Sequence, residues 1–260
     1  MKRCLYLLIL LGFWLSPQYV LSWGNRYGHP QITGAAIEDL PLRMATVFRP
    51  VKQWLMDTSS DKGVRTQWDI NEFSFHYINT DSDPNCQWPF TCLPQSYAGY
   101  VTTYKITNQT NPYYSHSNGL NGYVIDSLTL VLSTAYRNWC ENPTWSNFTT
   151  TLYWMTRIAH YTEDLHQPFH LTKDSSPNGI HGRYESKLLE KFKPEISTKI
   201  GSATYQANRL KFVFSIISTV YPYYHSIANA DTIAQNADPS RGDTYYTLLW
   251  SSTQNYTSTF

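Results

Sequence analysis

Residues 160–170, HYTEDLHQPFH, restrict the fold more than any other part of the chain. They hold three histidines and two acidic residues, although the whole chain of 260 residues has only eight histidines. His160 and Asp164 are four residues apart, a spacing that places both side chains on one face of an α-helix. Pro168 ends or bends such a helix, so His170 follows just beyond it. The run therefore predicts a helix that ends in a turn rich in metal-binding groups.

The same spacing recurs downstream in GIHGRYE. His181 and Glu185 are four residues apart at the start of a second predicted helix, which follows the helix-breaking Gly179. Imidazole and carboxylate groups are good zinc ligands, and a pair at this spacing lets one helix supply two of them. A single pair is more often a surface or capping feature, but two pairs joined by a further histidine indicate a metal site. His166 lies on another face of the first helix, so we assign it to the surroundings of the site or to the surface.

Apolar residues recur at three- and four-residue spacing through most of the chain, as they do in amphipathic helices. The predicted helices cover 29–40, 121–139, 145–167, 205–221 and 244–256. Ser146 or Asn147 is the predicted cap of the third helix. The stretch 80–118, rich in Pro, Asn and Ser, is predicted to be a long loop. No repeat or linker divides the sequence, so the fold class predicted is a single all-α domain.

The first 22 residues have the pattern of a secretory signal peptide. Lys2 and Arg3 precede an apolar run, and the small residue Ser22 ends the segment. The apolar run is too short to span a bilayer. Cleavage after Ser22 makes residues 23–260 the mature domain, with Trp23 as its first residue. We therefore expect a protein that is secreted or lies in the lumen of the secretory or lysosomal pathway, without a membrane anchor.

Cysteines and sequons fit that location. The mature region keeps Cys86, Cys92 and Cys140, and the short loop from Cys86 to Cys92 is the predicted disulfide, although other pairings remain open. Glycosylation sequons begin at Asn108, Asn147 and Asn255. A net charge of +1 argues against a general nucleic-acid coat but not against an enzyme that binds one phosphate at a time.

The segment WGNRYGH adds two candidate ligands near the new N-terminus. His29 comes six residues after Trp23, whose free α-amine would have a pKa of about 8, low enough to lose its proton to a metal. The amine and carbonyl of Trp23 can then form a chelate. Without the downstream cluster, Trp23 would be a buried aromatic residue and His29 the first residue of a helix.

Four blocks of the sequence resemble, in the same order, motifs of the trinuclear-zinc phosphodiesterases. They are WGNRYGH, FHYINT, HYTEDLHQPFH and GIHGRYE. This superfamily unites the class I single-strand-specific nucleases of fungi and plants with bacterial zinc-dependent phospholipase C. The blocks span nearly the whole mature chain. The third block is the most specific, because the family pattern is His, Asp four residues on, Gln-Pro and a closing His. The resemblance implies a monomeric all-α hydrolase with three zinc ions in a cleft.

The resemblance also implies which residues bind zinc. The implied ligands are Asp61, His76, His160 and Asp164 for the first ion, His170, His181 and Glu185 for the second, and the Trp23 amine and carbonyl, His29 and the other oxygen of Asp164 for the third. Asp61 lies fifteen residues before His76, a separation typical of the family, but its local motif matches poorly. Asp57 and Asp69 remain alternatives to it.

Several features favour the nuclease branch, among them the stretch HYINTDSDPNC. In it, Tyr77 matches the aromatic residue on which a base stacks, and Asn79 the residue that reads the base edge. With Asp61 and Asp164 as catalytic metal ligands, Arg65 would steady charge on the phosphoryl oxygens. Tyr77 is alternatively a core residue, and Arg65 a solvated loop residue. We expect cleavage of single-stranded DNA and RNA to 5′-phosphorylated products, with 3′-nucleotidase activity from the same site.

Two features instead favour a phospholipase C. Glu185 stands where nucleases usually have Asp and phospholipases have Glu, and the segment from His170 to His181 is short. A third interpretation is a secreted binding protein that zinc stabilises but that catalyses nothing. That interpretation would require the open metal positions to be blocked, and nothing in the sequence indicates such a block.

Overall fold

Helices account for most of the computed structural model, which describes residues 27–60, 74–103, 119–192 and 208–258. In chain order the α-helices are α1 (His29–Glu38), α2 (Leu42–Phe48), α3 (Lys52–Ser59), α4 (Tyr97–Thr103), α5 (Asn121–Glu141), α6 (Trp145–Leu165), α7 (Ile180–Gly182), α8 (Leu189–Phe192), α9 (Arg209–Val220), α10 (Tyr223–Ala237) and α11 (Asp243–Ser258). The π-helical segment Arg183–Leu188 joins α7 to α8, and 3₁₀ turns are formed by Arg49–Val51, Pro168–His170 and Pro177–Gly179. Within these ranges there is no β-strand, which confirms the prediction of an all-α domain.

Helices α5 and α6 are the longest pair and pack against each other along their length. Thr144 caps α6, because its hydroxyl accepts a hydrogen bond from the Asn147 backbone N–H at 3.2 Å. The predicted cap, Ser146 or Asn147, is therefore wrong, since the helix begins earlier, at Trp145. Asn147 instead closes the turn between the two helices, where its side-chain amide donates to the Asn142 carbonyl at 2.8 Å.

Buried apolar side chains form three clusters, and two of them meet beside His170. The first cluster packs α5 and α6 against α9 and includes Leu171. The second packs α1 and the π-helical segment against α10 and α11, and it includes Phe169. The third joins α1, α2 and α3 to α5 and α6 through side chains such as Phe48 and Leu152. Phe169 is buried in the second cluster and Leu171 in the first. The two clusters therefore hold His170, which lies between these residues in the chain, on both sides.

The backbone of residues 76–80 runs alongside this turn. The Ile78 N–H donates to the His170 carbonyl at 2.8 Å, and the Thr80 N–H donates to the Leu171 carbonyl at 3.1 Å. An isolated bridge links Ile78 to Gly119, which has a φ of 72°. A Cβ at that glycine would lie 2.0 Å from the Tyr77 carbonyl oxygen, so the close approach requires glycine. These contacts bring the segment that carries His76 next to the end of α6.

The stretch 80–118 is partly helical rather than a continuous loop, because α4 lies within it. The predicted disulfide between Cys86 and Cys92 is present, and Cys140 lies outside it. None of the helices described is both long and apolar enough to cross a membrane.

Candidate metal centre

Asp164, in the last turn of α6, lies at the centre of a group of four histidines. Its Oδ2 is 2.7 Å from His76 Nδ1 and 3.2 Å from His160 Nε2. Its Oδ1 is 3.2 Å from His170 Nδ1 and 3.5 Å from His29 Nε2. The Asp164 side chain is only 1% exposed. One buried carboxylate is therefore in contact with imidazoles from four separate stretches of the chain.

A second group adjoins the first through His170. Its other ring nitrogen, Nε2, lies 3.3 Å from Glu185 Oε1, and the same oxygen is 2.7 Å from His181 Nε2. Gly179 directly precedes α7, as predicted, and it adopts a left-handed conformation there. Helical geometry then places His181 and Glu185 on one face. Glu185 belongs to the π-helical segment.

Two sets of residues have the composition and spacing to hold a metal ion. They are His29, His160 and Asp164, and His170, His181 and Glu185. Within each set the ligand atoms lie within 4.8 Å of one another. With His76 in contact with Asp164, the fold brings together all the predicted histidine ligands, Asp164 and Glu185.

Other predicted residues, Trp23, Asp61, Arg65 and Asp69, lie outside the described ranges. Asp57 is described and is exposed on α3, where it accepts a hydrogen bond from the Gln53 side chain at 2.9 Å. It therefore takes no part in the cluster. The end of α3 does reach the site, because the Ser59 carbonyl contacts His160.

The donor atoms of each set lie close enough together to share a metal ion such as zinc. Ligand atoms at 2.0–2.1 Å from one tetrahedral zinc ion are about 3.3 Å apart, and the contacts around Asp164 range from 2.7 to 3.5 Å. Asp164 Oδ1 and His170 Nδ1 are buried, yet neither makes a well-directed hydrogen bond to any residue in the described ranges. Buried polar atoms of this kind are normally satisfied. These two face each other at 3.2 Å, so a cation shared between them would satisfy both.

The orientation of His160 supports the same conclusion. Its Nδ1 donates to the Ser59 carbonyl at 2.8 Å, because a carbonyl oxygen can only accept. When Nδ1 carries the only ring proton, the lone pair lies on Nε2, which faces Asp164 Oδ2 at 3.2 Å and His76 Nδ1 at 3.1 Å. A lone pair opposite a carboxylate is repulsive unless a proton or a cation lies between them. Ligating histidines are typically oriented in this way by a second hydrogen bond.

The electrostatics of the cluster favour the metal-binding forms of three ligands. Burial raises the pKa of Asp164, but the neighbouring His160, His170 and His76 outweigh it and hold that pKa well below its usual range. Burial also lowers the pKa of His29 and of His76. The low pKa of Asp164 favours its carboxylate form, and burial favours the neutral form of the two histidines, in which imidazole binds a metal.

His170 differs from them in the metal-free protein. Burial lowers its pKa, but the carboxylates of Asp164 and Glu185 outweigh burial and raise the pKa to about 10. A protonated His170 then supplies the positive charge between these two acids. Burial raises the pKa of Glu185, yet hydrogen bonds with His170 and His181 lower it overall.

The sequence analysis did not identify three residues that support the ligands, namely Thr33, Glu163 and Gln167. Glu163 is 2% exposed, and its carboxylate contacts His29 Nδ1 at 2.7 Å and accepts from the Thr33 hydroxyl at 2.8 Å. Gln167 donates to Glu185 Oε1 at 3.0 Å. Glu163 and Gln167 lie within the block of residues 160–170, but their partners depend on how distant elements pack.

The remaining predicted residues lie close to the ligands. Tyr77 and Asn79 are half-buried and follow His76 on the segment held against the turn at His170. His166 is not a surface residue, because it is 2% exposed and its Nδ1 lies 2.8 Å from the Thr162 carbonyl.

The fold and the site together define an all-α protein with two adjoining groups of potential metal ligands. No protein-family model matches the chain, and no curated protein matches it. The relation to the trinuclear-zinc phosphodiesterases therefore stays a prediction from the sequence blocks, and the candidate metal centre rests on its geometry.

Proposed function

We propose that the chain is a zinc-dependent phosphodiesterase that cleaves single-stranded DNA and RNA to 5′-phosphorylated products. The observation that supports this most is the convergence on Asp164 of histidines from distant parts of the chain. Zinc held by these residues would supply Lewis acidity, which would polarise a phosphoryl oxygen and make a hydrolytic water more acidic.

Each acidic ligand has a distinct part in this proposal. Asp164 directs one oxygen towards His76 and His160 and the other towards His29 and His170, so it would share its charge between two cations. Glu185 would complete the second position with His170 and His181. Trp23 and Asp61 would add the remaining ligands, and Arg65 would steady negative charge on the phosphoryl group.

The nuclease branch is favoured by the segment that follows His76. Tyr77 and Asn79 are half-buried, and backbone hydrogen bonds of Ile78 and Thr80 hold them beside the turn at His170. An aromatic ring next to a phosphodiester site can stack on a base, an interaction worth about 1–3 kcal/mol per base. The Asn79 amide can both donate to and accept from a base edge.

Glu185 is the feature that favours phospholipase C. Its carboxylate contacts His181 at 2.7 Å and His170 at 3.3 Å, so the longer side chain still reaches both histidines. The contacts suit either branch, and Glu185 therefore does not outweigh the segment that carries Tyr77.

A paired assay on the mature protein, beginning at Trp23, tests the proposal. One arm offers single-stranded DNA and RNA, with double-stranded DNA as the control, and the other offers phosphatidylcholine micelles. We expect nucleotide release from the single strands that stops with chelator and returns with zinc. Release of choline phosphate alone would instead assign the protein to phospholipase C. Activity on neither substrate by zinc-loaded protein would contradict catalysis and support the non-catalytic interpretation.

A further inference from the structure

Glu163 is a buried carboxylate that the proposed reaction does not use. It directly precedes Asp164 on α6, and consecutive residues of a helix point in directions about 100° apart. Asp164 therefore points into the histidine cluster, whereas Glu163 points towards α1, where it contacts His29 and Thr33. We propose that Glu163 is a positioning residue, which holds His29 in the orientation that binds metal and so sets the metal affinity of the position shared with Asp164.

Both oxygens of the Glu163 carboxylate have a partner on α1. Oε2 lies 2.7 Å from His29 Nδ1, and Oε1 accepts from the Thr33 hydroxyl at 2.8 Å. His29 and Thr33 are four residues apart, so they share one face of α1. Two hydrogen bonds to one carboxylate fix its plane, and they also join the first turn of α1 to the last turn of α6.

The contact determines which nitrogen of His29 is available to a metal. When Glu163 accepts the proton on Nδ1, the lone pair of the ring lies on Nε2, which is 3.5 Å from Asp164 Oδ1. Metal-binding histidines commonly donate their second N–H to a carboxylate or a carbonyl, which orients the ring and makes it a stronger ligand. The Ser59 carbonyl orients His160 in this way, and the Glu163 carboxyl group orients His29.

This inference concerns metal binding and goes beyond the proposed function. It requires only that His29 and Asp164 share a cation, whichever phosphodiester is hydrolysed. The zinc affinity of each position, measured without substrate, therefore tests it separately from catalysis.

The test measures zinc bound per chain by equilibrium dialysis over a range of buffered free zinc. Glu163→Gln keeps the shape of the side chain but replaces one carboxyl oxygen with an amide group, which cannot accept from both His29 and Thr33. We expect one zinc per chain to bind about 10- to 100-fold more weakly, the usual effect of losing such a supporting carboxylate, while the other ions bind as before. Thr33→Val keeps the carboxylate and removes one of its hydrogen bonds, so its effect should be smaller.

Leu152→Ala is the control for a loss of stability alone. Leu152 lies on α6 in the apolar cluster that includes α2 and α3, and it is 3% exposed. It should lower the melting temperature of the zinc-loaded protein and leave zinc affinity unchanged. The contrast between the two variants separates positioning of His29 from general stability.

Three results would overturn the inference. The first is a Glu163→Gln protein that binds zinc as tightly as the wild type. The second is a Glu163→Gln protein that loses no more zinc than a Leu152→Ala protein with the same melting temperature. The third is a wild-type chain that binds no zinc. Zinc-loaded wild-type protein without phosphodiesterase activity would contradict the proposed function and leave the role of Glu163 standing.

Discussion

At the scale of single residues, Asp164 is the side chain on which the site depends most. Its two oxygens contact four histidines, so replacing it should disturb two metal positions together. The Lewis acidity of a metal is worth several kcal/mol, and we expect Asp164→Asn to lower kcat/KM on single-stranded DNA about 10³-fold.

The matched control for this variant is Glu38→Gln. Glu38 is an exposed acid that pairs with Lys52 and Arg49, so its replacement removes a charge far from the cluster. Its activity should equal that of the wild type. An Asp164→Asn protein as active as this control would show that the proposed site is wrong.

His170 predicts a pH dependence that is specific to the chelated protein. In an unfolded chain a histidine has a pKa of about 6.5, whereas the buried His170, held between Asp164 and Glu185, has its pKa raised to about 10. The stabilising effect is then complete below about pH 6.5 and disappears as the pH rises towards about 10. Calorimetry should show the melting temperature of the chelated protein falling across this range.

The control for this experiment is His170→Gln, which cannot take up the proton. The melting temperature of this variant at each pH is subtracted from that of the chelated wild type. The difference should be largest near pH 6.5 and fall as the pH rises towards about 10. Equal slopes for the two proteins between pH 6.5 and 10 would contradict a protonated His170 in the metal-free site.

At the scale of secondary structure, the segment from α7 through the π-helical turns needs an anchor. Arg183, between His181 and Glu185, supplies it: the guanidinium donates to both oxygens of Asp231 at 2.9 and 3.1 Å. It also donates to the Tyr245 hydroxyl at 2.9 Å, and that hydroxyl donates to Asp231. The network connects the segment that carries His181 and Glu185 to α10 and α11.

Removing the guanidinium would leave the carboxylate of Asp231 buried without its cation. We expect Arg183→Met to lower the free energy of unfolding of the zinc-loaded protein by about 3–5 kcal/mol. Lys191→Met is the control, because Lys191 pairs with an exposed Asp243, and its loss should cost less than about 1 kcal/mol. Urea unfolding curves that coincide for the two variants would show that Arg183 is not an anchor.

At the scale of the whole molecule, the sequence predicted what local patterns encode. Apolar periodicity predicted the long helices, and the four-residue spacings placed His160 with Asp164 and His181 with Glu185. The sequence pattern did not predict the cap at Thr144, which lies two residues before the nearer predicted cap, Ser146. Nor did it predict the contact of Glu163 with His29, because these residues are 134 positions apart and meet only when α1 packs on α6.

The candidate centre joins parts of the chain that no single helix connects. Its histidines come from α1, the segment at His76, α6, the turn at His170 and α7. Any ion that binds only the folded chain stabilises the whole fold, by an amount that grows with its concentration relative to the dissociation constant. A bound metal would therefore stabilise the fold as well as take part in the proposed reaction.

Counting the zinc ions is the most direct test of that centre. Native mass spectrometry of the mature protein, purified without added metal and with Trp23 first, gives the number of ions per folded chain. We predict three zinc ions, all removed by chelator and restored by zinc. A folded chain that carries no zinc, and takes up none from a zinc buffer, would contradict a metal centre built around Asp164.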